Sequence, residues 1–361
     1  MRILINTPYI KDLGGVANHY LGLKPYFSNV VKYHQFITSA TIHRITSIKL
    51  LHKPLGILSL TFDFLKFFFI LLFNRFPIVL LNPSFLKTAL NRDQIFLRIA
   101  KLFNCRVAIF MHGWDLNVYN EVLENGRYNY MWKQSDAFFV LANEFKKNLL
   151  NLGVTAPIYL TTTKVDDRLI KDLPLGRKIT TIRNILFLAR VERNKGVFTA
   201  IEAFSFLSEK KQNLTLTIVG GGSSLQTAKE FVIEKRIENV IFTGPLFGED
   251  LKKAYLDSHL YLLPTTHGEG MPTTVLEAMA FGLPVISRPV GGLKDFFEKG
   301  RMGFLIDTTD PLDYVEIIDS LISDPDLTKR ISEYNSEYAR SNFMASRIAP
   351  DIESKLLAMM Q

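Results

Sequence analysis

One cysteine, Cys105, in 361 residues leaves the chain unable to form an internal disulfide and fits a reducing compartment. Zinc-finger ligands, an RNA-recognition signature and a basic helix of regular spacing are all missing, which removes the usual nucleic-acid classes. No Gly-Lys-Ser/Thr follows a glycine run and no G-x-G-x-x-G occurs, so P-loop and dinucleotide-binding readings fall away. No Asp-x-Asp pair stands in a loop suited to holding a divalent ion for group transfer. The opening MRILINTPYI has neither the length nor the cleavage pattern of a signal peptide and reads as a strand. A long uncharged apolar run is absent too. Leu55 to Phe73 is about long enough to span a bilayer, but Asp63 and Lys66 sit in its middle, where each would be costly. We read this segment as a buried helix packed on a sheet. The competing reading is a helix lying in a membrane interface with Phe64, Phe67, Phe68 and Leu71 in lipid, favoured by the nearby Lys53, Lys66, Arg75, Lys87, Arg92 and Arg98.

What is present is a globular composition, 47% hydrophobic and 22% charged, at a length that suits two domains better than one core. The net charge of +8 is uneven. Residues 1–150 hold 18 Lys+Arg against 8 Asp+Glu, or +10, leaving 25 against 27, or −2, for the rest. With nucleic acid set aside, an anionic membrane surface or a lipid-phosphate acceptor fits the basic half.

The pattern along the chain is that of parallel sheets. Residues 2–6, Pro77 to Asn82, Arg106 to Met111 and Asp136 to Leu141 read as strands, with a helix at about Arg92–Phe103. In such sheets ligands bind beyond the carboxyl ends of strands. Gly14-Gly15 follows the first strand and lets a ligand approach the backbone; His112 ends a later one. From Asn151 to Arg183 periodicity is lost, and the segment reads as an interdomain linker. Asn184 to Leu188 restarts the pattern and runs into Arg190 and Lys195, a pair able to grip a diphosphate. Leu214 to Val219 ends in Gly220-Gly221-Gly222. Leu260 to Pro264 feeds His267–Gly292, read as loop, short helix and strand. Pro272 suits a first helical position and Gly282 a left-handed C-terminal cap. The helix N-terminus faces the loop and forms an anion site. Glu269 lies in that loop, Glu277 in the helix.

Glu269 and Glu277 with seven residues between them, Arg190 and Lys195 with four, the Gly14-Gly15 turn and His112 together resemble the retaining glycosyltransferases of family 4, group 1 glycosyl transferases of the E-x7-E type. The resemblance is strong from Asn184 to Gly292 and weak over residues 25–105. Ala142-Asn143 and Lys294-Asp295 depart from it, where relatives carry a Ser and a Pro-Glu pair.

It implies an α/β GT-B fold: two Rossmann-like α/β/α domains facing each other across a cleft. The expected bounds are 1–170 for an acceptor-side domain, 171–343 for a nucleotide-sugar-binding domain, and 344–361 for a helix crossing back to the first. It implies retaining, metal-independent sugar transfer from a nucleotide sugar to a hydroxyl. Arg190, Lys195 and the helix N-terminus would stabilise the departing diphosphate. Glu269 and His112 would hold the donor sugar and Glu277 the ribose. Gly14, Gly15, Gly220, Leu246, Gly270, Met271, Pro272, Thr273 and Thr274 complete the expected donor contacts. No cofactor is implied beyond the nucleotide-sugar co-substrate, a UDP-sugar being favoured over a GDP-sugar. The expected acceptor is a glycan or lipid-linked glycan of a bacterial surface polysaccharide or glycolipid. The expected location is the cytoplasm, at the inner face of the membrane. The alternatives are a GT-B nucleotide-sugar epimerase and a non-catalytic nucleotide-sugar-binding subunit.

Overall fold

The computed structural model describes residues 2–9, 14–38, 49–173 and 177–361. Asp12 and Leu13 of the glycine turn, Pro174 and Gly176 of the expected linker and the side chain of Lys53 lie outside the described residues. The chain forms two compact units, Met1–Lys164 with Gly268–Met271 and Ala345–Gln361, and Val165–His267 with Pro272–Met344. The division thus lies at Lys164/Val165 rather than at 170/171. Four residues of the Glu269 loop pack with the first unit, which chain order gives no reason to expect.

The first unit is built on a parallel sheet of β1 (Ile3–Pro8), β2 (Val31–Phe36), β3 (Ile78–Leu81), β4 (Arg106–Met111), β5 (Ala137–Val140) and β6 (Ile158–Leu160). Their order is β2-β1-β3-β4-β5-β6. Both faces are covered, so β3 and β5 are apolar and buried along their whole length, as parallel strands require. The direction of winding reverses between β1 and β3, and such a reversal opens a crevice beyond the carboxyl ends.

Two expectations are corrected here. The supposed linker contains β6, the sixth strand of this sheet, and the short helix Asp167–Ile170. β6 has only three half-buried or exposed residues at a sheet edge, too short to show a period. The second correction concerns the apolar helix, which runs from Lys49 to Phe73. Only one face of it is buried. Phe67 and Leu71 are covered, Phe64 and Phe67 meet Phe96 edge-on at 4.8 and 5.0 Å, and Phe68 meets Phe103 at 5.2 Å. The residues that the competing reading placed in lipid are therefore the ones that hold the helix to the protein.

The second unit repeats the plan with β7 (Asn184–Leu188), β8 (Thr215–Val219), β9 (Val240–Gly244), β10 (Leu260–Leu263), β11 (Val285–Ser287) and β12 (Gly303–Leu305). All pairings are parallel in the order β12-β11-β10-β7-β8-β9, the dinucleotide-fold order, with its reversal between β7 and β10. The loops after those two strands are the ones that carry Arg190, Lys195 and Glu269.

Candidate active site

In the second unit the loop after β7 is held from three sides. Val191 N–H donates to the Gly221 carbonyl at 2.9 Å, and Ser224 N–H to the Val191 carbonyl at 3.0 Å. A Cβ on Gly220 would lie 2.0 Å from the Ala189 carbonyl oxygen, and one on Gly222 2.4 Å from that of Val191. These glycines let the β8 turn pack against the loop, which gives Gly220 a structural duty besides its expected donor contact. On the other side the Asn194 carbonyl accepts from Thr266 N–H at 2.8 Å and His267 N–H at 3.1 Å. Gly196, at φ +80, has the Pro264 carbonyl oxygen 2.2 Å from its would-be Cβ, so only glycine fits there.

Lys195 is 8% exposed, a depth at which a lysine is rarely found without anionic company. Arg190 is exposed and its guanidinium donates to Glu192 at 2.7 Å. Leu246, partly covered, follows β9.

Helix Thr273–Ala280 begins beside this loop. Pro272 is its N-cap, with φ −69 and ψ 105, not its first helical residue as expected. Its ring suits the extended backbone just before the helix as well as it suits the first turn. Gly282 ends the segment at φ +74, with its N–H bonded to the Met279 carbonyl at 2.8 Å, as expected of a left-handed cap.

Two tyrosines fix the helix. Tyr261 of β10 shares its hydroxyl between the Leu188 carbonyl at 2.9 Å and Thr274 Oγ1 at 2.6 Å, tying the helix's first turn to the end of β7. Tyr255 donates to Glu277 Oε2 at 2.9 Å, while its ring stacks on Phe281 at 4.8 Å. Burial and the nearby Glu277 push the Tyr255 phenol well up, so it stays a donor at any working pH. Glu277 is only 6% exposed, and Thr273 and Thr274 remain partly accessible at the helix start. Neither tyrosine stands out in the sequence, because a Tyr in an apolar run reads as core.

In the first unit, Gly268–Met271 packs along the segment after β4. A Cβ on Gly268 would meet the Trp114 carbonyl oxygen at 2.4 Å, and one on Gly270 that of His112 at 2.2 Å. Thr163 Oγ1 donates to the Met271 carbonyl at 3.3 Å. Glu269 is thereby brought to the same strand end as His112. The glycines flanking it work by close backbone approach.

His112 stacks on Phe110 at 4.0 Å, and its Nε2 lies 2.9 Å from Asn82 Oδ1. Asn82 Nδ2 donates to the Asn6 carbonyl at 2.9 Å and its Oδ1 also accepts from Tyr20 at 2.5 Å. That orientation makes Asn82 Oδ1 the acceptor, so His112 carries its proton on Nε2 and presents Nδ1 as a hydrogen-bond acceptor. Burial lowers the His112 pKa to about 3, which keeps the ring neutral. Asn82 follows β3, next to the β1/β3 reversal. Sequence reading placed it only as the end of an apolar strand, although a polar residue closing such a run was the available signal. Gly14 and Gly15 head helix Gly15–Leu23, and an added Cβ at either would meet nothing within 4 Å.

Residues 177–338 match the family model "Glycosyl transferases group 1". The chain is 29% identical over 175 residues to the D-inositol 3-phosphate glycosyltransferase of Corynebacterium urealyticum, covering 46% of this chain and 40% of that protein. It is 26% identical over 218 residues to the amylovoran biosynthesis glycosyltransferase AmsK of Erwinia amylovora, covering 58% and 53%. The chain thus spans about half the length of the curated relatives it matches. Among solved structures, Anabaena HepE in complex with UDP and glucose superposes with a TM-score of 0.74 at 16% identity, over 99% of this chain and 100% of that one. Residues 177–338 thus resemble the glycosyl transferases group 1 family, within a chain whose two six-stranded parallel sheets are those of the GT-B fold.

Proposed function

We propose that the protein is a retaining glycosyltransferase of family 4 type that moves a sugar from a UDP-sugar to a hydroxyl of a glycan or lipid-linked glycan. Its setting is bacterial surface polysaccharide synthesis at the cytoplasmic face of the membrane. The observation that carries the reading is the bonding around helix Thr273–Ala280. Tyr261 joins Thr274 to the end of β7, and Asn194 joins the Lys195 loop to the strand leading into the helix. Two cationic side chains and a helix N-terminus then stand at the β7/β10 reversal, where this fold class binds phosphate. The name of a Staphylococcus aureus relative, capsular polysaccharide biosynthesis glycosyltransferase CapM, supports the polysaccharide setting.

In this reading Lys195 and Arg190 take the diphosphate and Glu277, steadied by Tyr255, takes the ribose hydroxyls. Leu246 and Gly220 line the base side. Glu269 and His112 hold sugar hydroxyls, with His112 Nδ1 accepting one. Gly14, Gly15, Gly270, Met271 and Pro272 supply backbone around the donor. The bond between the anomeric carbon and the β-phosphate oxygen breaks, and the acceptor oxygen bonds to that carbon on the same face. The acceptor's proton passes to the leaving phosphate, so neither a carboxylate nucleophile nor a metal ion is required. Charge developing on the phosphate is met by groups already in place.

The test is release of nucleoside diphosphate from a panel of UDP-, GDP- and ADP-sugars in the presence of EDTA, with the anomeric configuration of any product read by NMR. Turnover of a UDP-sugar with retained configuration is expected. Inversion, a need for metal, or binding of no nucleotide would each refute the corresponding part.

A further inference from the structure

The helix Lys49–Phe73 carries large apolar residues on its outward face as well as on its inner one. Asp63, Phe67 and Leu71 face inward, where Asp63 Oδ2 accepts from the Ile37 N–H at 2.8 Å. On the opposite face Leu58, Phe62, Leu65, Phe69 and Leu72 recur at alternating spacings of four and three, one continuous stripe down a helix. All five are exposed, Phe62 by 63% and Leu58 by 68%, and Phe73 continues the stripe at 76%. The stripe runs about 22 Å along the axis at 1.5 Å per residue. Isolated exposed apolar residues need no explanation, but an aligned row of five large ones does.

Charge identifies the occupant. Asp63 is the sole acid between Pro54 and Phe73, and it is buried, so the outward surface of that stretch has no negative charge. Lys66 is exposed on the same helix and Arg75 just beyond its end. A second copy of the chain meeting this face about a two-fold axis through the middle of the stripe would set Lys66 against its own equivalent. A sheet of anionic headgroups over hydrocarbon satisfies stripe and cations together. The helix is long and apolar enough to cross a bilayer by length and composition. Its inner face is committed to the protein, however, because crossing would strip Phe67 from Phe96, uncover the buried Leu71 and leave Asp63 in hydrocarbon.

We infer that helix Lys49–Phe73 docks the protein in the plane of an anionic phospholipid bilayer, with Leu58, Phe62, Leu65, Phe69 and Leu72 in the acyl boundary. This docking stands on the helix alone. A chain that bound vesicles without turning over a nucleotide sugar would keep it and lose the transferase reading, and the converse holds.

The test is flotation of the full chain with vesicles of phosphatidylcholine alone and with added phosphatidylglycerol, at low and high salt. Wild type is expected to float with the anionic vesicles and to release as salt rises. Phe62→Ser with Leu65→Ser and Phe69→Ser should weaken binding at least about tenfold, while Lys66→Glu should cost about fivefold or more. All of these positions are exposed, so an unchanged melting temperature checks that the variants fold. Equal binding to neutral and anionic vesicles, or binding that survives the triple serine variant, would overturn the inference. So would a dimer in light scattering that the triple variant breaks, or a protease-protected fragment spanning 54–73 showing that the helix crosses.

Discussion

Replacing Tyr255 with phenylalanine removes one oxygen from the candidate site and little else. The ring stacked on Phe281 at 4.8 Å is retained, so the core loses no volume. What disappears is the 2.9 Å bond to Glu277 Oε2, with a longer one of 3.4 Å to the Thr274 carbonyl, in a place where Tyr255 is fully buried and Glu277 nearly so. A buried hydrogen bond whose acceptor is left behind costs about 1–3 kcal/mol. If Glu277 is the ribose ligand, part of that cost appears in nucleotide binding, because the carboxyl is no longer held in one rotamer. About 1–2 kcal/mol there corresponds to a rise of roughly 5- to 30-fold in the KM for donor and the Kd for UDP. The diphosphate grip lies on the separate Lys195 loop, so kcat should change much less. Steady-state UDP release and calorimetric titration with UDP read the two quantities separately. A Tyr255→Phe protein with wild-type KM and Kd would refute the positioning argument. So would a fall in kcat at unchanged KM.

The glycines divide into two kinds that one substitution separates. Gly15→Ala should leave the melting temperature unchanged and raise donor KM, since an added methyl meets nothing in the protein; Gly270→Ala should destabilise, because its Cβ would lie 2.2 Å from the His112 carbonyl oxygen. The buried histidines predict acid sensitivity. His34 and His112 are each held to about 3 by burial, below the unfolded value near 6.5, so the unfolded chain binds more protons between those pH values. Their stabilising effect is complete above about pH 6.5 and is lost as pH falls, by about 1–2 kcal/mol per histidine at pH 5. Thermal melts at pH 7.5 and 5 check this, and an unchanged midpoint would show that these rings titrate normally. Glu192→Gln tests the exposed partner of Arg190: it should leave stability within error and alter kcat for donor turnover far less than Arg190→Ala does.

The second unit was the more legible half because its signals are local. Strand, basic loop and glycine are read within a dozen residues from Asn184 to Gly196, and the same holds from Leu260 to Gly282. In the first unit the sequence hides more. β2, VKYHQF, does not look like a buried strand; its His34 is accommodated inside, with Nδ1 lying 2.7 Å from Asn6 Oδ1. The helix Lys49–Phe73 is apolar all round, so periodicity cannot say which face is inward; partners distant in sequence, Phe96 and Phe103, decide it. Packing of Gly268–Met271 with the first unit, and the hydroxyl partners of Tyr255 and Tyr261, are long-range facts without a local signature. Asn82 belongs with them: its role exists only because Asn6, Tyr20 and His112 converge on it.

The central claim is that the groups converging on the β7/β10 reversal bind and activate a nucleotide sugar. Its most direct measurement is UDP-sugar turnover and UDP affinity in Lys195→Ala and Glu277→Ala, each checked for an intact fold by circular dichroism. The account predicts that Lys195→Ala lowers turnover by about a hundredfold or more, as loss of a charge-stabilising group does. It predicts that Glu277→Ala weakens UDP binding. Wild-type turnover and affinity in both folded variants would contradict it.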